Sequence, residues 1–111
     1  MTDDVGSLID RFFEALNSRD LESFRELLAD DVEFHTPRGT ALRGVDEAKA
    51  IIDASEKSGL RLSATGEPQV DGDTVRVPVL ERTHGRDSSE GTAEFELRDG
   101  RVAAFHIATN A

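Results

Sequence analysis

The sequence of 111 residues contains no cysteine. That excludes disulfides, zinc–thiolate sites, iron–sulfur clusters and thiol catalysis. It has no apolar run near the ~20 residues that a membrane-spanning helix needs. Lysine is scarce, two residues against eleven arginines, and the basic residues are scattered. No basic cluster offsets a formal net charge of −10. Such a surface repels nucleic acid and anionic lipid, because affinity for both comes largely from neutralising phosphates. There is no Gly-rich phosphate loop, no nucleophile elbow and no His-Glu-x-x-His, so nucleotide hydrolysis, serine hydrolysis and zincin proteolysis gain no support. The opening Met1-Thr2-Asp3-Asp4 is acidic and no apolar stretch of signal-peptide type follows it, which predicts a cytoplasmic chain.

What is present fits one domain over residues 1–111, with 37% hydrophobic residues to build one core. Val5, Leu8, Ile9, Phe12, Phe13 and Leu16 recur at helical spacing and predict an amphipathic helix of about three turns. Asn17-Ser18-Arg19 breaks it. Asp20 reads as the N-cap of a second helix carrying Leu21, Phe24, Leu27 and Leu28 on one face, ended by Asp30-Asp31 as turn and capping chemistry. Val32, Phe34 and Thr36 alternate with Glu33 and His35 as a strand that Pro37 closes. Arg38 to Gly44 reads as a loop with room for a very short strand. Val45, Ala48, Ile51 and Ile52 give a third helix stopped by Gly59.

From Leu60 the period changes from 3.6 to 2. Four alternating runs follow, separated by Asp71-Gly72-Asp73, by Gly85 to Ser89 and by Asp99-Gly100. The expected architecture is α+β, with three helices in the N-terminal half packed on one side of a curved, mostly antiparallel sheet. Leu80, Val102, Ala104 and Ala108 fall out of phase with the inward set and give the outer face some apolar character. That predicts a homodimer through the convex sheet face.

Phe12 to Pro37, F-F-E-A-L-N-S-R-D-L-E-S-F-R-E-L-L-A-D-D-V-E-F-H-T-P, resembles the opening of the nuclear transport factor 2-like (NTF2-like) superfamily. That superfamily includes the SnoaL-like polyketide cyclases and the ketosteroid isomerases. Arg43-Gly44 leading into the third helix and Asp99-Gly100-Arg101-Val102 near the end continue the likeness across the chain. The resemblance implies a cone: a curved sheet wrapped around the first helix, with a pocket for a small, largely apolar molecule. It is weaker for function, since one fold hosts isomerases, dehydratases, cyclases, hydrolases and non-catalytic binders. A ketosteroid isomerase uses a carboxylate base and an oxyanion hole of a tyrosine and a protonated aspartate. The matching positions here hold Thr36, Phe12 and Ala93, so the resemblance argues against that reaction.

The remaining candidates come from strand phase. His35, His84 and His106 fall out of phase with the apolar sets, which points them to the convex side and argues against a metal site; a bulge at Thr83 to Gly85 would turn Arg82 or His84 inward. Glu81 follows Val75, Val77 and Val79 in strict alternation and should face the cone. Desolvation raises the pKa of a buried carboxylate, which is how a general acid or base is tuned towards neutral pH. Glu81 therefore reads either as the acid/base or ligand anchor, or as a residue that sits at a wet pocket mouth or pairs with an arginine such as Arg43 or Arg82. Thr36, Thr83 and Thr109 share its phase, and Phe12, Phe34, Phe95 and Ile107 are the predicted pocket wall. The expected function is small-molecule binding, extending to cofactor-independent isomerase, cyclase or hydrolase chemistry on a small apolar substrate. The alternative is a non-catalytic dimeric binding or interaction module. Neither reading calls for a cofactor, a metal, nucleic acid or a membrane.

Overall fold

The computed structural model describes residues 3–35, 41–85 and 88–109. The chain runs α1 (Asp3–Ser18), α2 (Leu21–Glu26), β1 (Leu28–His35), β2 (Ala41–Arg43), a single 3-10 turn (Val45–Glu47) and α3 (Ala48–Ser58). It then runs β3 (Arg61–Ala64), β4 (Gln69–Asp71), β5 (Thr74–Arg82), β6 (Ser89–Arg98) and β7 (Arg101–Thr109). The seven strands form one sheet in the order β2-β1-β7-β6-β5-β3, with β4 on β5. All pairings are antiparallel except β1 with β7. The helices cover the concave face of this curved, open, mixed sheet.

Local chemistry sets the element ends. The Asp20 carboxylate accepts the Ser23 backbone N–H at 3.2 Å, so α2 begins with a filled cap. Gly59 ends α3 at φ 69, a left-handed position where glycine carries no steric penalty. Asp99 and Gly100, at φ 54 and 76, form the two-residue turn between Arg98 and Arg101; this is the mirror-image turn whose twist suits a hairpin. Arg19 takes a left-handed position at φ 61 without being glycine. Its guanidinium donates to the carbonyls of Leu16 (2.6 Å), Ser55 (3.0 Å) and Leu60 (2.7 Å), and these charge-assisted bonds offset the backbone cost. Beside it, the Asn17 amide donates to the Leu62 carbonyl at 2.8 Å and accepts the Leu62 N–H at 3.0 Å. The residues read from sequence as a helix break thus bind α1 to α3 and to the edge of β3.

Three local expectations are corrected. The second helix is six residues, and β1 begins at Leu28, because Leu28 pairs with Val102 of β7. Asp30 and Asp31 consequently lie inside a strand, with Asp31 paired to Arg98. Val102 belongs to the core, with no exposed surface, rather than to the convex face. Glu96 pairs with Ala104 and Leu97 with Val102, so Ala103 is left over between them, and this irregularity reverses the phase at the start of β7.

The core is one continuous cluster in which α1 faces the sheet. Phe12 is fully buried and its ring meets those of Phe13, Phe24, Phe95 and Phe105 at centroid separations of 4.8 to 6.1 Å. Phe34 closes the group by stacking on Phe24 at 6.0 Å.

Candidate functional site

The strand registers lay the concave face out in rows. Phe34, Phe105, Phe95 and Val75 form one row across four strands. Ile107, Ala93 and Val77 form the next; Thr109, Gly91, Val79 and Ala64 follow. The last row is Ser89, Glu81 and Leu62. Glu81 therefore shares a face with the fully buried Leu62 and ends the column of Val75, Val77 and Val79, half-buried where those valines are buried. Burial falls along the cone: phenylalanines pack its inner end, while Ile107, Glu81 and Thr83 retain access to solvent.

Phe12 and Phe95 have no exposed surface and Phe34 has 2%. They form the aromatic floor of the cone. Ala93, in the row above, is also fully buried. Thr36 lies outside the described residues, as does the side chain of Thr109. The pairing of Glu81 with Arg43 or Arg82 is not found. Arg43 donates to Glu33 on the other face, and Arg82 lies in unbroken register opposite Arg61 with its Nε directed at Ser88 Oγ. No shift in the β5 ladder turns Arg82 inward. His84 follows the end of β5: its N–H donates to the Ser58 carbonyl at 2.9 Å, and its ring packs over Gly59, where a Cβ would lie 2.5 Å from it. It therefore closes the C-terminal end of α3 instead of standing on the convex face.

The convex face has its own order. Glu33, Ala104, Glu96 and Thr74 form one row, with Arg43 beside Glu33. His35, His106, Glu94 and Arg76 form the next, on the convex side as strand phase predicts, and the two imidazoles meet in T-shaped contact at 6.1 Å. Ala108, Thr92 and Pro78 come next, then Glu90, Leu80 and Ser63, and finally Arg82 and Arg61. The face is more polar than the sequence suggests. A hydrogen bond from Arg98 holds the Asp31 carboxyl below its usual pKa, and one from Arg43, with its charge, does the same for Glu33. Among the described residues no group of three or more His, Asp or Glu side chains could hold a metal ion.

Surface clefts occur on both layers. One of about 240 Å³ lies between α1 and α2, lined by Arg11, Glu14, Ser18 and Asp20 among others. Two of about 310 and 300 Å³ lie on the charged rows of the convex face. None of these three reaches Phe12, Glu81 or Thr83. Among the described residues no helix is long and apolar enough to cross a membrane.

A long N-terminal helix held in a curved open sheet, with burial falling from an aromatic floor to a half-open rim, defines an NTF2-like α+β domain. Solved structures of that fold superpose over nearly the whole chain. An NTF2-like protein of unknown function from Burkholderia pseudomallei matches at TM-score 0.83 and 23% identity, covering 99% of this chain and 92% of that one. A candidate polyketide cyclase from Sinorhizobium meliloti matches at 0.81 and 22%, covering 92% and 94%. TerC, co-crystallized with polyporic acid, matches at 0.81 and 20%, covering 94% and 89%. At these identities the likeness is one of fold. No curated relative matches the sequence. The SnoaL-like domain family matches residues 9–105, and the chain belongs to that family.

Proposed function

We propose that this SnoaL-like domain binds a small apolar or amphipathic molecule at the open end of its concave face, with Glu81 as the polar anchor. One observation carries the reading: a half-buried carboxylate ends an otherwise apolar column on the face that also holds Leu62. Phe12, Phe34 and Phe95 supply the floor. Ile107 and Thr83 supply the rim, and strand phase in the sequence makes Thr36 and Thr109 further candidates for ligand contact. A ligand there would meet apolar wall on most sides and one group able to accept or exchange a proton, the usual make-up of a small-molecule site. The co-crystal of TerC supports the class of ligand. Where turnover follows binding, the chemistry is proton transfer or hydrolysis without cofactor, with Glu81 as acid/base. A cytoplasmic location agrees with this reading.

Nile red, a neutral apolar dye, tests binding directly. Its fluorescence should rise saturably on the folded protein, and Ile107→Trp, which fills the rim, should remove the rise. No saturable rise, or one unaffected by Ile107→Trp, overturns the reading. Once a substrate is identified, Glu81→Gln should abolish turnover with folding intact; unchanged turnover removes Glu81 from the mechanism.

A second reading is favoured by the packing of the aromatic group. A cone whose inner end is filled by phenylalanine rings suits a non-catalytic module that associates as a homodimer through the convex face of its sheet. Sedimentation at micromolar concentration decides this one, a monomer counting against it.

A further inference from the structure

Among the described residues Glu81 is a carboxylate without a counter-charge: no Lys, Arg or His nitrogen lies within 4.0 Å of it. The strand arginines lie elsewhere. Arg43 stands opposite Glu33, Arg76 opposite Glu94 and Arg61 opposite Arg82, all on convex rows. Arg98 and Arg101 flank the turn at the other end of β6. On the helical layer the Arg19 guanidinium is engaged by the carbonyls of Leu16, Ser55 and Leu60. Lys49 pairs with Asp53, and Lys57 lies on the solvent side of α3. His84, three positions after Glu81, packs its ring over Gly59. The half-buried carboxylate thus ends a column of buried valines with no positive partner supplied by the described part of the fold.

That arrangement discriminates between ligands by the sign of their charge. A carboxylate partly withdrawn from water is stabilised by a cation brought against it, because a hydrogen bond between two charged groups is stronger than one between neutral groups. An anionic head at the same place would meet like charge beside an apolar wall, where screening is weak. The whole-chain field acts in the same direction, since 23 acidic residues face 13 basic ones and cations are drawn to the surface. Register also sets Ser89 directly opposite Glu81 on the same face. An ammonium has three donors and no acceptor, and a carboxylate beside a hydroxyl oxygen offers it acceptors. We propose that the molecule taken at the open end of the cone is an amphiphile with a protonated amine head, its ammonium seated on Glu81 and Ser89 and its apolar body directed towards Ile107. The proposal rests on the small-molecule reading given above and adds the charge of the ligand.

The experiment is displacement of bound Nile red at neutral pH by octylamine, octanol and octanoate, which share one chain length and carry a cationic, a neutral and an anionic head. Octylamine should displace the dye at a concentration roughly tenfold below that of octanol, and octanoate should be the weakest. Glu81→Gln should abolish the advantage of the amine and leave octanol unchanged. Ser89→Arg, at an exposed position opposite Glu81, supplies an internal counter-charge and should remove the same advantage by an independent route. Glu90→Gln takes the same unit of charge from the convex face and should preserve the order of the three ligands, with thermal unfolding as the folding control for every variant. No saturable dye binding overturns the small-molecule reading and this proposal together. Dye that binds but is displaced equally by all three, an amine advantage that survives both Glu81→Gln and Ser89→Arg, or one that Glu90→Gln removes as fully, overturns the proposal alone.

Discussion

The two faces of this sheet are built by the same strands and alternate residue by residue, yet they divide the protein's work. The concave face is apolar and filled at its inner end, where Phe12 alone touches four other aromatic rings. The convex face carries cross-strand ion pairs such as Arg76–Glu94 and Arg43–Glu33, whose side chains are largely wet. Burial makes the first face the source of stability. Exposure makes the second a place where charge can be rearranged at little structural cost, since exposed pairs contribute little. Glu81 is the exception that joins the two: a polar residue on the apolar face, placed where the packing ends.

The comparison can be broken most severely from inside. Phe12→Ala should cost about 3–5 kcal/mol, because it removes a whole ring from the middle of the aromatic cluster. A urea titration should show the midpoint fall with an unchanged slope. If the loss is under about 1 kcal/mol, the inner end of the cone is not close-packed. An intermediate effect is expected at the boundary between faces. Asn17→Ala leaves the N–H and C=O of Leu62 without their partner and should cost about 1–3 kcal/mol. Faster amide exchange at Leu62 would localise the loss to β3.

The smallest effect belongs to the convex face and sharpens the contrast by pH. Asp31 and Glu33 have folded-state pKa values below their ordinary 3.8 and 4.5, chiefly through hydrogen bonds from Arg98 and Arg43. Their contribution is therefore complete above those ordinary values and is lost as pH falls through the lower folded-state ones. The urea midpoint should decline below about pH 4. Replacing Arg98 and Arg43 with glutamine should make that decline shallower, and a slope unaffected by the double replacement would assign the acid sensitivity elsewhere.

Much of the fold was legible in residues whose chemistry acts locally. The Asp20 cap, the left-handed Gly59 and the Asp99-Gly100 turn each act within a few residues, and each stands where the sequence puts it. What was not legible depends on distant partners. Leu27 and Leu28 have helical spacing, but Leu28 is drawn into a strand by Val102, more than seventy positions away. Val102 alternates with the wrong set until the leftover Ala103 is seen. Asn17 and Arg19 read as a helix break because their partners Leu62, Ser55 and Leu60 lie 36 to 45 positions on. The site divides in the same way. Phase gave Glu81 its face, while the closure of the cone's inner end by rings from α1, α2, β1, β6 and β7 emerges only on assembly.

The parallel pairing of β1 with β7 also governs how the chain acquires its shape. β1 is complete by His35, but its central neighbour, residues 101–109, is made last. During synthesis the first helices and β1 must wait with Phe24, Val32 and Phe34 uncovered on that side, since contacts so distant in sequence form late and slowly. The final nine residues of the sheet thus act as the closing step for this sheet and its core. A chain stalled or clipped before them would hold no finished core, and it would be a client for chaperones rather than a smaller working domain.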